Sequence, residues 1–305
     1  RAGQSWGIPL PFDPSSVVYV WFDALINYIS ALGFGADQAA FERWWPASLH
    51  VIGKDITRFH CVIWPAMLMS AGLPLPRQVF GHGFVYFKGE KMSKSLGTIV
   101  DPLDAASKFG PDPLRMFLVR EFAYGQDGDF SWERFEERYN SDLANNLGNL
   151  VSRIATMADK YCGGRLPQSG AAAGRLAQVA DATLAAYRIS MDRFALQDGV
   201  GAAFGLVDAA NQFIAETEPW KLAKDPANAG RVGAILYDVA EALRVAAVLL
   251  LPVMPASAAE ILRRVGAPKS AAEHVLDDAA WNAAGDRQTV KADPMWPRIG
   301  GTAKT

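Results

Sequence analysis

The sequence is poor in cysteine and histidine and has no long uninterrupted apolar run. Its two cysteines, Cys61 and Cys162, lie far apart and in no metal-ligand spacing, which excludes a disulfide scaffold and a zinc knuckle within this chain. The longest apolar run, residues 245–253 around Pro252, is too short to span a bilayer. Sparse cysteine is typical of a reducing compartment. We therefore expect a cytoplasmic protein with no membrane partner and no metal ligands of its own.

The charge is nearly balanced, with a formal net charge of -2 over 305 residues. This balance excludes a generally basic protein that coats nucleic acid, so any nucleic acid must be held by a local patch and by base contacts. Half of the residues are hydrophobic, which is enough for a core, and the length predicts about two domains.

The first part of the chain alternates short apolar strands with helices. Residues 17–21, 49–52 and 78–85 read as strands, the last bent at Gly81 and Gly83. Asp23 is positioned to cap a first helix, and the turn at residues 53–55 leads into a second helix over residues 56–71, kinked at Pro65. This alternation predicts an α/β fold with a parallel sheet.

Beyond Pro113 helical periodicity dominates, over residues 113–122, 132–162, 171–187, 194–216, 228–250 and 255–265. Ser131 marks a helix start, and Gly163 with Gly164 marks a stop. We expect an all-α bundle here. The tail over residues 283–305 has little periodicity and either packs back on the body or frays.

A five-residue motif, Lys91-Met92-Ser93-Lys94-Ser95, follows the third predicted strand. This string is the signature of class I aminoacyl-tRNA synthetases. Two lysines on a loop can meet the negative charge that builds up when a carboxylate attacks the α-phosphate of ATP, and serine hydroxyls can add hydrogen bonds. A solvated, charged hairpin tip is the simpler alternative for a lone pair of lysines, but not for this full string.

Two further segments carry a more specific resemblance. Residues 20–29 (VWFDALINYI), and residues 51–60 (VIGKDITRFH) continuing into WPAML, resemble the substrate-pocket segments of methionyl-tRNA synthetases, and the likeness extends over residues 1 to about 255. The resemblance implies ATP-dependent activation of L-methionine to methionyl-adenylate and its transfer to tRNA(Met), with Mg²⁺ accompanying ATP. It implies catalytic roles for Lys91 and Lys94, ATP contacts from Gly53, Asp55, Lys91, Ser93 and Lys94, and a methionine pocket lined by Trp21, Ala24, Tyr28, Ile56 and His60.

Helical spacing agrees with such a pocket. Ala24 and Tyr28 are four residues apart, as are Ile56 and His60, so each pair lies on one helical face. We expect both pairs just past the ends of parallel strands, where open α/β sheets bind ligands. On pattern alone Trp21 and Tyr28 read as core residues, His60 as a satisfied buried histidine and Asp55 as a helix cap; the resemblance favours the pocket.

In the helical half, residues 149–153 and 218–220 resemble the anticodon-binding positions of the same family. Asn149 and Arg153 project from one helical face, and Trp220 is suited to stack on a cytosine, the first anticodon base. Without the resemblance, Arg153 would read as an ion-pair residue and Trp220 as a core residue. The implied domains are residues 1–115, the second half of a Rossmann-type catalytic domain; residues 116–135, a connecting stem-contact segment; and residues 136–305, a helical anticodon-binding domain with a tail.

No His-x-Gly-His motif, the other class I signature, occurs among the four histidines. We therefore expect the first half of the catalytic domain, and any zinc-bearing insertion, to lie before Arg1, so that this chain alone is catalytically incomplete and needs that half as a partner. Two alternatives stay open: another class I synthetase, such as the leucyl, isoleucyl, valyl or cysteinyl enzyme, and a non-catalytic tRNA-binding relative.

Overall fold

A computed structural model describes residues 6–92, 100–168, 174–282 and 285–300. The described residues form two compact units, divided between Phe84 and Val85. No described helix is both long enough and apolar enough to cross a bilayer.

The first unit is a small α/β assembly around an aromatic and aliphatic core. Its elements are β1 (Pro9–Leu10), β2 (Asp13–Val17), α1 (Val20–Ser30), α2 (Gln38–Trp44), β3 (His50–Gly53), a 3-10 turn (Lys54–Ile56), a π-helical turn (Phe59–Ile63), α3 (Trp64–Ser70) and β4 (Val79–His82). β1 and β2 pair antiparallel, whereas β3 and β4 pair in parallel, with His50 opposite Val79 and Gly53 opposite His82. The core consists of Leu25, Ile29, Phe41, Trp45, Trp64 and Leu68.

The predicted strand over residues 17–21 is wrong. Val17 ends β2, and α1 already begins at Val20, so the apolar run spans a strand end and a helix start. The helix forms here because Leu25 and Ile29, four residues apart, both become buried on one face. Asp23 does not cap this helix, since Tyr19 occupies the N-cap; Asp23 lies in the first turn, where the helix dipole favours its negative charge.

The predicted helix over residues 56–71 is present in pieces. A π-helical turn occupies residues 59–63 immediately before Pro65, which lies in the first turn of α3. Proline has no backbone N–H to continue the ladder, which accounts for the irregularity at the expected place. The predicted strand over residues 78–85 is divided, because β4 ends at His82 and the next strand starts at Val85 in the second unit.

The second unit is mainly helical, as predicted. It contains β5 (Val85–Phe87), β6 (Glu90–Lys91), α4 (Pro102–Phe109), α5 (Pro111–Glu121), β7 (Gly128–Phe130), α6 (Trp132–Arg138), α7 (Gly148–Cys162), β8 (Arg165–Leu166), α8 (Arg175–Asp192), α9 (Leu196–Thr217), α10 (Pro219–Leu222), α11 (Ala229–Leu250), α12 (Pro255–Arg264) and β9 (Arg287–Gln288). β5 pairs in parallel with β7 and antiparallel with β6, and β8 pairs antiparallel with β9. α11 lies at the centre: nearly every residue from Ile235 to Leu250 is buried.

The predicted helix limits at Ser131 and Gly163 are confirmed. Ser131 Oγ accepts a hydrogen bond from the Arg134 amide at 3.2 Å, and Gly163 ends α7 in the left-handed conformation with φ +60°. Between α6 and α7 the chain stays helical through a π-helical segment, Tyr139–Leu147. The described part of the tail packs back on the body, where Trp296 is buried against Gly148. A Cβ at position 148 would lie 2.8 Å from the Trp296 ring, so this contact requires glycine.

Candidate functional site

A hydrogen bond joins α1 to the helical segment that follows β3. Tyr28 Oη lies 2.9 Å from His60 Nε2, and His60 Nδ1 lies 3.0 Å from the carbonyl oxygen of Ile56. Because a carbonyl only accepts, Nδ1 carries the proton, and in the neutral imidazole Nε2 then accepts from the Tyr28 hydroxyl. His60 is fully buried, so this pairing satisfies both of its ring nitrogens away from water.

Aromatic rings form the wall beside this bond. The Trp21 ring stacks on Phe59 with centroids 4.7 Å apart and an interplanar angle of 13°. The edge of Trp21 also meets His60 at 5.9 Å, and Tyr28 meets His60 in the same T-shaped manner at 5.6 Å. Burial raises the pKa of Tyr28, which keeps its hydroxyl protonated and able to donate. Trp21, Tyr28 and His60 are thus brought together, as the sequence analysis expected.

The other expected pocket residues are placed less centrally. Ile56 is half-buried and takes part through its backbone carbonyl, whereas Ala24 is exposed on α1. The expectation that both pairs follow parallel strands holds for Ile56 and His60, which come after β3, but not for Ala24 and Tyr28, since α1 follows the antiparallel hairpin of β1 and β2.

Gly53 and Asp55 lie together where β3 ends. The Asp55 carboxylate folds back over Gly53, so closely that a Cβ on Gly53 would lie 2.7 Å from Asp55 Oδ1. Asp55 is inside the 3-10 turn rather than at its N-cap, which is Gly53, so the simple capping role is wrong. Gly53, which has no side chain, and the exposed carboxylate of Asp55 can therefore contact a ligand at the carboxyl end of a parallel strand.

Three further residues of this site, His50, Phe59 and Trp64, were not predicted from the sequence. His50 begins β3 and packs against the Tyr28 ring with centroids 4.4 Å apart, and it accepts a hydrogen bond from Trp64 Nε1 at 3.3 Å. Phe59 could have been predicted, because it directly precedes His60 in the sequence; in the structure its ring stacks on Trp21. The pairing of His50 with Trp64 depends on a tertiary contact that helical or strand periodicity does not reveal.

The signature motif lies mostly outside the described residues. The backbone of Lys91 belongs to β6, which forms a hairpin with β5 through Lys88 and Gly89, both at positive φ. Ser93 and Lys94 fall in the undescribed stretch of residues 93–99, and the side chain of Lys91 is likewise not described.

A second cluster lies in the helical unit, on α7 and α10. The Arg153 guanidinium carbon lies 5.9 Å from the centre of the Trp220 ring, in a cation–π arrangement. Asn149, one turn before Arg153, is exposed, while Trp220 is half-buried and packs partly on the core of the bundle. Beside Arg153, a depression of about 320 Å³ is lined by Ser152, Arg153, Thr156 and Met157. Arg153 and Trp220 therefore contact each other, and Asn149 lies one helical turn from Arg153 on α7, outside the lining of this depression.

Comparison with known proteins decides the family. The family model described as "tRNA synthetases class I (M)" matches residues 2–155, just over half of the chain. The chain belongs to this synthetase family.

Individual members of this family are similar to the chain along nearly its whole length. The methionine–tRNA ligase of Thermotoga maritima is 43% identical over 98% of this chain and 48% of its own length, and that of Brucella melitensis is 47% identical over 98% of this chain and 58% of its own length. A crystal structure of the Mycobacterium tuberculosis methionyl-tRNA synthetase bound by methionyl-adenylate superposes with a TM-score of 0.87 at 40% identity, covering 97% of this chain and 59% of that one. The synthetase chain thus spans about half the length of the relatives it matches.

Proposed function

We propose that the protein containing this chain is a methionine–tRNA ligase, which activates L-methionine with ATP and transfers it to tRNA(Met). The observation that carries the proposal is the hydrogen-bonded Tyr28–His60 pair beside the stacked Trp21 and Phe59 rings. The names of the relatives support the same substrate.

The pocket chemistry suits a thioether. The Tyr28 hydroxyl donates to His60 Nε2, and the N–H of His60 donates to Ile56, so both donors are engaged within the protein. A methionine sulfur therefore meets ring faces and edges from Trp21 and Tyr28, which attract sulfur. A hydrogen bond from Tyr28 to the sulfur would require its hydroxyl to turn away from His60. We assign Trp21, Ala24, Tyr28, Ile56 and His60 to methionine binding.

We assign the ATP site to Gly53 and Asp55 together with the signature motif. Gly53 allows close approach of the adenosine at the end of β3. Lys91 and Lys94 act as the catalytic charges that stabilise the transition state at the α-phosphate, and Ser93 adds a phosphate contact. Mg²⁺ comes with the ATP phosphates, whose oxygens it prefers as ligands.

We assign the surface formed by Asn149, Arg153 and Trp220 to the anticodon. Trp220 offers a ring face for a splayed base, and the amide of Asn149 and the guanidinium of Arg153 offer hydrogen bonds to its edge. In this view residues 136–305 form the anticodon-binding domain and residues 116–135 the segment that contacts the tRNA stem.

We infer that sequence outside this chain completes a Rossmann-type catalytic domain. Isolated parallel pairs are unusual because parallel sheets are ordinarily covered on both faces, yet β3 and β4 pair only with each other among the described residues, and Val51 on β3 is 53% exposed. α1 and α3 also border an open apolar groove of about 720 Å³ that includes the exposed side chains of Phe22 and Val62. The greater length of the relatives agrees with a missing half that covers these surfaces.

The test is amino-acid-dependent exchange of pyrophosphate into ATP by the full protein that contains this chain. We expect exchange with methionine and not with leucine, isoleucine, valine or cysteine. Tyr28→Phe should raise the KM for methionine, while Tyr187→Phe, which alters a buried tyrosine of the helical unit, should not. Exchange with leucine instead would identify another class I synthetase, and tRNA binding without any exchange would identify a non-catalytic relative.

A further inference from the structure

We propose that His50 is a positioning residue of the methionine pocket, which holds the Tyr28 ring so that its hydroxyl faces His60. The inference rests on the proposed function and extends it to a residue that lies behind the pocket. His50 is only 6% exposed, at the start of β3, and its ring meets both members of the hydrogen-bonded pair, Tyr28 at 4.4 Å and His60 at 6.1 Å.

The protonation state of His50 follows from its partner. The indole N–H of Trp64 only donates, so His50 Nε2, 3.3 Å away, must be the unprotonated acceptor. Burial and the neighbouring His60 both lower the pKa of His50, which favours this neutral form. The titratable groups that face His50 are Tyr28 and His60, and the hydroxyl of Tyr28 stays protonated because burial raises its pKa.

The Trp64 bond fixes the plane of the His50 ring. Trp64 is 1% exposed in the core, and its ring packs against Trp45 and Tyr28 with centroids 6.0 Å away in each case. With this anchor on one side, the His50 ring packs on Tyr28 at 4.4 Å, the shortest ring separation in the pocket. Tyr28 has one hydroxyl bond and three ring neighbours, His50, His60 and Trp64, and His50 is the nearest of the three.

A leucine at position 50 would fill part of the volume but remove the acceptor. It would leave the Trp64 N–H buried without a partner and would leave the Tyr28 ring free to shift. A glutamine would retain an acceptor, because its side-chain carbonyl reaches about as far as an imidazole Nε2. The pair His50→Leu and His50→Gln therefore separates the hydrogen bond from the bulk of the side chain.

The experiment measures methionine-dependent pyrophosphate exchange with both variants in the full protein. We expect His50→Leu to raise the KM for methionine about tenfold, the scale of one lost buried hydrogen bond, with kcat changed less than about twofold. His50→Gln should recover most of the loss. In the His50→Leu background, Trp64→Phe should add little, because the bond it removes is already absent.

A second measurement does not depend on activity. Nitrogen-15 NMR of the histidines should show an unprotonated Nε2 on His50, and the Trp64 indole proton should shift in His50→Leu. An unchanged KM in His50→Leu, an equal loss in His50→Gln, or a protonated Nε2 would each overturn the proposal. Failure of the proposed function itself is distinct, since the wild-type protein would then show no methionine-dependent exchange.

Discussion

Glu241→Gln should strongly destabilise the helical unit. Glu241 is 0% exposed in α11, and both of its oxygens accept hydrogen bonds at 2.7 Å from Arg244, itself 4% exposed. The same carboxylate also pairs with Arg287, which is 3% exposed, and accepts the backbone N–H of Asn282 at 2.6 Å. One buried anion thus pairs with two buried guanidinium groups and joins the segment after α12 to the central helix.

The size of the stability loss follows from the two buried guanidinium groups that Glu241→Gln leaves without an anion. Removing one partner of a buried ion pair costs about 3–5 kcal/mol, because the remaining charge stays buried without compensation. Since each kcal/mol lowers the melting temperature of a unit of this size by about 2–4 °C, we expect a fall of about 6–20 °C. Glutamine has the same shape as glutamate, so the loss reports the charge and not a cavity.

Glu216→Gln is the matched control. Glu216 also accepts two side-chain hydrogen bonds, from Arg175 and Gln212, both at 2.6 Å, but its side chain is 47% exposed. An exposed pair of this kind contributes about 0–1 kcal/mol. The assay is thermal and urea unfolding followed by circular dichroism. If Glu241→Gln lowers the melting temperature no more than Glu216→Gln does, the buried triad is not a determinant of stability and the reasoning is refuted.

Three further predictions concern function and pH. Trp220→Ala should leave adenylate formation intact and weaken tRNA charging by about 1–3 kcal/mol, the contribution of one base–aromatic stack. If the variant still discriminates against a changed first anticodon base as well as the wild type does, this prediction is contradicted. Lys94→Ala should slow adenylate formation by about 10²–10³ with little change in the KM for methionine, and an unchanged single-turnover rate would exclude the loop from the mechanism. Burial lowers the pKa of His274 in the folded state, despite Asp278 nearby, so the unfolded chain takes up the proton first as the pH falls. The free energy of unfolding should therefore decrease below the ordinary pKa of 6.5. Midpoints of urea unfolding measured between about pH 5 and 8 should depend less steeply on pH in His274→Phe.

Helix locations were largely predictable because the apolar periodicity of the second unit is long and regular. Ser131 and Gly163 could be read as helix limits because capping and left-handed termination depend on local chemistry. The start of α1 at Val20 was not predictable, since a run of apolar residues is compatible with either a strand or a buried helix start. What decides it is the burial of Leu25 and Ile29 against α2 and α3, a tertiary effect.

The sequence predicted that Trp21, Tyr28 and His60 lie together, and they do, but it did not predict the contacts behind them. Ile56 and His60 do meet, but through the backbone carbonyl of Ile56, which accepts from the His60 ring where a 3-10 turn passes into a π-helical turn. The resemblance names residues that face the substrate, so it cannot indicate side chains that stand behind them. His50 belongs to that second group, and only the fold reveals that it faces Tyr28.

Under the proposed function, the hydrogen-bond donors of the methionine pocket explain how it favours an apolar thioether. The N–H of His60 is donated to Ile56 and the O–H of Tyr28 to His60, while Trp64 donates to His50 behind them. Each of these donors therefore already has an acceptor within the protein. The Tyr28 oxygen can still accept one hydrogen bond, but a substrate oxygen finds no free donor among these groups. It would have to break one of their bonds or stay buried and unpaired, and either costs free energy. A thioether demands no strong hydrogen bond and gains contact with the rings. Under the proposed function, selectivity for methionine comes from the saturation of these donors as much as from the shape of the aromatic wall.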